Sequence, residues 1–563
     1  IQMGNGQTKV DPPETSKSVQ FHKRKRKNDE SPDEVVDPTA PKVVKLETAK
    51  YVYEKLFVQG EDSDIILCAM DHQWKLHRFY LKQCEYFAAL LNGEWSDSHD
   101  SVFELHIPDE NVTVEGLHIV LGSLYDNEIV LQSDKLPSII AASSMLQLNE
   151  VYDRAVEAMT ESIDDHHALA FLSCGYLYEI DTVRNAAFYY ILWNFWRLGK
   201  KLSFLAELPE KVMTRLLSTT DLPVVEAEVD LYKIIKSWIF LQYAPDSSSL
   251  VQEDFDAACD MFYKSIKDGS IISSPIMSPA LSPSSSHTPP SLTFLEGQHN
   301  ELMQSHGLFL KYSSLFAGLR LQNIFCSTTG INLIRSDGIL PRSLIDAVIA
   351  DRYYTSLAMD DNRSLPNEVQ METISEEAFL LSSTRFGRSI DDELRKKRCW
   401  RWTGSQYGVD FIFQLNAGSI TVKRNVHRQT SKYPLINGGS ITFIYRLVLV
   451  NGKGEIQFDT GRCKATLEAD RRTTIGSFDV NMKLPVMIHF FILYGSPSPT
   501  PSFVFVREAM NELKRTSKRN VFDPEEDDGD DDKNHMTSSW SSNESDDDND
   551  GRSIESRNGR SSS

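Results

Sequence analysis

Between residues 47 and 148 the spacing of apolar side chains switches between the two-residue repeat of a strand and the three-to-four-residue repeat of a helix. Asp64-Ile65-Ile66-Leu67-Cys68-Ala69-Met70 reads as a buried strand, Asp71-His72 as a tight turn, and Gln73-Trp74-Lys75-Leu76-His77 as the returning strand. Short helices are expected over 78–83 and 85–91. The second sets Phe87, Leu90 and Leu91 on one face and ends at Asn92-Gly93. Val102-Phe103-Glu104-Leu105-His106-Ile107 alternates as a third strand, closed by Pro108, and three helices follow near 114–125, 136–146 and 151–160. Ahead of the module, Val52, Leu56 and Phe57 share one face of a helix over 50–57.

From 149 to about 255, and again from 307 to 360, the pattern is helical. A helix over 182–198, with Asp181 as N-cap and Gly199 at its end, carries Phe188, Tyr189, Tyr190, Ile191, Leu192, Trp193, Phe195 and Trp196. That density exceeds one face and predicts a second packing partner. Leu231, Ile234, Ile235 and Trp238 keep helical spacing behind Glu228-Val229-Asp230. A Ser/Pro-rich insert over 268–293 interrupts the region as a loop. Strands run over 399–508, where Val409, Phe411, Phe413 and Leu415 alternate, as do Ile420 and Val422, and then Ile441, Phe443, Tyr445, Leu447 and Leu449 up to Asn451-Gly452. A small antiparallel sandwich is expected there. No repeat of 20–50 residues is present, which excludes a propeller or solenoid.

Composition narrows the chemistry. The 563 residues are 40% hydrophobic and 25% charged, as in globular proteins, and no apolar run is long enough for a membrane span. The polar N-terminus lacks the apolar core of a secretory signal. Seven dispersed cysteines without a CxxC pair point to reduced thiols and no zinc module. Net charge is −21, with a basic stretch near the N-terminus and an acidic tail, so no nucleic-acid partner is expected. There is no glycine-rich phosphate loop, metal cluster or triad spacing, and Cys399 beside Trp400 and Trp402 has no activating neighbour. Neither catalysis nor a cofactor is expected. Residues 1–46 and 520–563 have the composition of disordered arms.

The mixed module resembles the BTB/POZ fold, carried by Ser63-Asp64-Ile65, Leu76-His77-Arg78, Leu81, Tyr86-Phe87 and Ile107-Pro108-Asp109. The resemblance implies a homodimer in which Val52, Leu56 and Phe57 meet the partner subunit. In cullin-binding members, an apolar residue, any residue and Glu follow the second short helix. Trp95, Ser96 and Asp97 occupy those positions, with Asp in place of Glu. Trp95 is then the anchor for cullin-3. In repressor-type members an acid and a base form a charged pocket at the dimer groove; Asp64 and Arg78 match that pair.

The helical region resembles a BACK domain. Together with Gly122-Ser123-Leu124-Tyr125, the Cys399-Trp400-Arg401-Trp402-Thr403-Gly404 opening of the strands and the basic N-terminal run, it makes the chain similar to the germ cell-less family. The fold class expected is α+β multidomain: a disordered arm over 1–46, a BTB/POZ domain over 47–148, an all-α BACK-like region over 149–360, a C-terminal antiparallel β domain over 399–508 and an acidic disordered tail over 520–563. The resemblance implies a substrate adaptor of a cullin-3 RING ubiquitin ligase at the nuclear envelope, with a role in germ-cell development and spermatogenesis. Its C-terminal domain would bind the protein substrate, and nuclear-envelope or lamina proteins would be further partners. The alternative is a lamina-associated scaffold or transcriptional corepressor working without cullin. Lys23, Arg24, Lys25, Arg26 and Lys27 suit nuclear import, to the nuclear envelope or matrix. Gly4 after Met3 fits the myristoylation pattern and, with the basic run, would allow a peripheral membrane pool beside a cytoplasmic one. Ser274, Ser278, Ser282 and Thr288 precede Pro as candidate phosphorylation sites, and Ser545 precedes three Asp.

Overall fold

The computed structural model describes residues 48–92, 101–126, 128–225, 227–268, 306–325, 327–360, 373–406, 409–424, 440–468, 471–494 and 500–522. Two compact units divide the chain, one from Ile1–His106 with Leu121–Ile129, the other from Ile107–Val120 with Val130–Ser563.

In the first unit α1 (Thr48–Val52) widens into a π-type turn over Tyr53–Val58. Then come β1 (Ile65–Ala69), β2 (His72–Leu76), α2 (Arg78–Leu81), α3 (Glu85–Asn92) and β3 (Val102–Glu104). β1 is the central strand, antiparallel to β2 and parallel to β3. Its alternate residues Ile65, Leu67 and Ala69 are buried, as are Trp74 and Leu76 across the hairpin. Met70 and Asp71 both adopt left-handed φ, 51° and 59°, the geometry of a two-residue hairpin turn. β3 is shorter than the 102–107 strand expected, and α2 ends at Leu81 rather than 83.

An aromatic knot explains two of the sequence motifs. The Tyr125 ring stacks on Tyr80 at 4.3 Å and meets Phe57 at 5.2 Å, and Phe57 meets Tyr53 at 5.1 Å. The His77 main-chain N–H donates to the Tyr125 hydroxyl at 2.9 Å, and the ring Nε2 lies 2.8 Å from the Glu61 carbonyl. Gly122 lies against this knot: a Cβ there would come within 3.0 Å of both Phe57 and Tyr53.

α4 (Val114–Gly122) contributes residues to both units. The second unit continues with α5 (Leu136–Met145), α6 (Asn149–Glu161), α7 (Ala168–Leu177), α8 (Asp181–Leu198), α9 (Leu202–Glu207), α10 (Glu210–Ser218), α11 (Val229–Tyr243) and α12 (Gln252–Asp268). Asp181 is the first residue of α8 rather than its cap, and pairs with Arg184. The Tyr178 hydroxyl donates to Asp109 at 2.6 Å and ties the Ile107–Val120 segment to the end of α7. Lys236 of α11 reaches Asp260 of α12 and Asp337 of the helix Thr328–Asp337, each at 2.8 Å, so helices from both sides of the Ser/Pro insert are joined.

Twelve strands in all include nine in the C-terminal part of this unit: β4 (Thr384–Ile390), β5 (Arg398–Gln406), β6 (Val409–Asn416), β7 (Ser419–Arg424), β8 (Ile441–Asn451), β9 (Ile456–Asp459), β10 (Cys463–Leu467), β11 (Thr473–Ser477) and β12 (Val486–Leu493), counted among the described residues. They form two antiparallel sheets, ordered β10-β8-β12-β4 with β9 on β8, and β11-β7-β6-β5. Phe411, Phe413, Leu415, Ile420 and Val422 of one sheet share a core with Phe443, Leu447, Ile488 and Phe490 of the other. β12 is buried on both faces: Ile488, Phe490 and Ile492 point into the sandwich, while Phe491 and Leu493 pack with Ile444 and Val448 against Trp193 of α8 and Phe379 of the helix Glu376–Ser382. That second core accounts for part of the aromatic excess on α8. The sandwich opens at Thr384, ahead of the 399 expected, because Thr384 and Arg385 interrupt the apolar pattern although both are buried. Its strands end at Leu493, and Ser502–Phe522 is a helix rather than strand.

Candidate interaction sites

Trp95, Ser96 and Asp97, and likewise Gly4, Lys23, Arg24, Lys25, Arg26, Lys27, Ser274, Ser278, Ser282, Thr288 and Ser545, lie outside the described residues. Of the three residues expected at a dimer interface, Phe57 is buried within its own unit by Tyr53 and Tyr125. The sequence places Phe57 at the dimer interface; within its own unit it is already covered by these two rings, where the helix widens after Val52. Val52 and Leu56 remain half-buried. Tyr51 and Val58 are exposed large apolar side chains near them in sequence, and Phe79 of α2 is more exposed still, at 78%. Asp64 accepts the main-chain N–H of Arg78 at 2.8 Å, so its carboxylate caps the first turn of α2. That local role is what the geometry gives the acid of the expected charged pocket.

Sequence reasoning missed an ionic cluster buried between helices and sandwich in the second unit. Glu228, immediately before α11, binds Arg385 of β4 through two contacts, 3.1 Å to Nε and 2.5 Å to Nη2. The same carboxylate accepts the main-chain N–H of Arg320 at 3.0 Å. The Arg320 guanidinium donates to neutral acceptors: the Ser383 carbonyl and hydroxyl and the Thr220 carbonyl. Burial, then the neighbouring Arg385, pushes Arg320 well below the usual guanidinium range. His489 of β12 is fully buried on the same face and stacks on Phe491 at 4.4 Å. Neither of its ring nitrogens has a hydrogen-bond partner among the described residues, and burial, reinforced by Arg385, Arg320 and Arg446, keeps it neutral. A local signal existed only for Glu228, which stands in the flank of a clear amphipathic helix.

At the rim of the helix–sandwich joint, Asp165 takes Arg197, Lys201 at 2.6 Å and the Tyr190 hydroxyl at 2.7 Å. Arg197 also reaches the Gly452 carbonyl at 3.3 Å, in the β8–β9 turn. Burial opposes the Asp165 charge, but the Arg197 and Lys201 cations outweigh it and hold the carboxyl down at about 2. Burial pushes the Cys174 and Cys259 thiols up to about 12, the reverse of nucleophile activation. Among the described residues no group of His, Cys, Asp and Glu is arranged to hold a metal, and no helix is long and apolar enough to cross a membrane.

Residues 53–163 match the BTB/POZ domain family. Germ cell-less protein-like 1 of Homo sapiens is 28% identical over 455 residues, which cover 80% of this chain and 81% of that protein. Protein germ cell-less of Drosophila melanogaster is 25% identical over 494 residues, 85% of this chain and 84% of that protein. Kelch-like protein 17 of Mus musculus is 27% identical over 177 residues, 31% of this chain and 27% of that protein.

Proposed function

Taking the chain as a BTB/POZ-domain protein similar to germ cell-less proteins over four-fifths of its length, we propose that it is a non-enzymatic, substrate-specific adaptor of a cullin-3 RING ubiquitin ligase. Its BTB/POZ module dimerises, with Val52 and Leu56 in the interface, and docks cullin-3 through Trp95, Ser96 and Asp97. The BACK-like helices carry the sandwich, which receives the protein to be ubiquitinated. Lys23 to Lys27 direct it to the nucleus, where envelope or lamina proteins are partners and an acylated Gly4 adds reversible membrane contact. Its setting is germ-cell development. The observation that carries the reading is the order of parts: a BTB/POZ match, then helices, then a sandwich joined to those helices by a shared apolar core.

Binding to the cullin-3 N-terminal domain tests it. Wild type binds, and Trp95→Ala weakens binding by about 2–4 kcal/mol, the loss of a buried aromatic anchor. Equal binding by both, or none by either, overturns the adaptor reading. Repression or lamina association that persists in Trp95→Ala without cullin binding favours the scaffold or corepressor alternative.

A further inference from the structure

Alternation along β12 divides its side chains between two environments. Ile488, Phe490 and Ile492 enter the sandwich core, while His489 shares with Phe491 and Leu493 the face turned toward the helices. His489 is fully buried there, and neither Nδ1 nor Nε2 has a hydrogen-bond partner among the described residues. The charged groups around the ring supply no counter-ion. Arg385 of β4, Arg446 of β8 and Arg320, just before the helix Leu321–Ile324, all oppose a charge on it. Glu228 is bound to Arg385, Asp221 and Asp459 to Arg446, and Glu376 of the helix Glu376–Ser382 to Arg462, so these carboxylates are engaged. Arg388 of β4 lies on the opposite face, over Trp402. A neutral imidazole fits this joint, whereas an imidazolium would be an unpaired charge out of water.

An imidazole in solvent takes up a proton near pH 6.5. Acid therefore favours any state in which the helices leave this face of β12. The sandwich core need not open for that, because its residues lie on the other side of the strand. We propose that His489 makes the joint between the helices and the sandwich acid-labile: the joint closes on a neutral ring and opens when the ring is protonated. This device goes beyond the adaptor reading and stands whether or not cullin-3 is engaged. Burial, reinforced by the three arginines, lowers the affinity of the folded ring for a proton. The closed joint is thus fully favoured above about pH 6.5 and loses about tenfold in its closing constant for each unit below it.

Amide hydrogen exchange of the full chain tests this, read as protection at about pH 7.5 and about pH 5.5. The helix Glu376–Ser382 has seven residues and is held on β12 through Phe379. A helix that short is unstable alone in water, so its protection reports closure of the joint. The β6–β7 ladder reports the integrity of the sandwich. In wild type the protection of Glu376–Ser382 is expected to fall about tenfold over this range, with β6 and β7 unchanged. In His489→Phe, which keeps the stacked ring, and in His489→Gln, which keeps a polar side chain, the fall is absent. The other histidines are common to all three chains and cancel in the comparison. A fall of equal size in the variants, no fall in wild type, or an equal fall in β6 and β7 each overturns the proposal.

Discussion

Two ionic groups join the helices to the sandwich, and they solve the same problem differently. At the rim, Asp165 gathers Arg197 and Lys201, and its side chain keeps 16% of its surface in solvent. In the interior, Glu228 and Arg385 are each 1% exposed and Arg320 lies beside them. Solvent screens the surplus cation at the rim. No such relief exists inside, where each charge depends on the fixed geometry of its neighbours. The rim group is therefore a tunable clamp, whereas the interior group is an all-or-none part of the joint.

The largest expected effect breaks the interior group. Glu228→Ala leaves Arg385 buried without its carboxylate and should destabilise the chain by about 3–5 kcal/mol in urea unfolding. At the rim, Asp165→Asn should cost about 2 kcal/mol at neutral pH. Asp165 is more acidic when folded than its ordinary 3.8, so its contribution is complete above that value and is lost as pH falls toward about 2. The gap between wild type and Asp165→Asn should close over that window; a gap independent of pH would remove the electrostatic account. The smallest effect belongs to Lys201→Ala, about 0.5 kcal/mol for a partner that is 43% exposed. Raising salt to about 1 M should erase the Lys201→Ala effect and leave that of Glu228→Ala unchanged.

Local pattern made the BTB/POZ module legible, because its strands and helices are short and punctuated by turn residues. His77 and Tyr125, picked out in separate motifs, meet directly. β6, β7 and β8 were legible because one face or both are apolar at strand spacing. β4 was not, since buried Arg385 and Thr384 look like surface residues in sequence. The covering of Phe57 within its own unit was hidden for a related reason: Val52, Leu56 and Phe57 share a face only if the helix keeps its ordinary pitch, and it widens at Tyr53. The Glu228–Arg385 pair joins positions 157 residues apart, and no local rule reports such a meeting.

The Lys236 bridge to Asp260 and Asp337 bears on how the gene can be handled. Helices before and after the Ser/Pro insert are held together by this bridge, and Lys267 adds bonds to the Arg335 and Ser336 carbonyls. A protease cut or an inserted fluorescent protein between positions 269 and 305 should therefore leave the halves associated. The same span offers a natural seam for split-protein reporters.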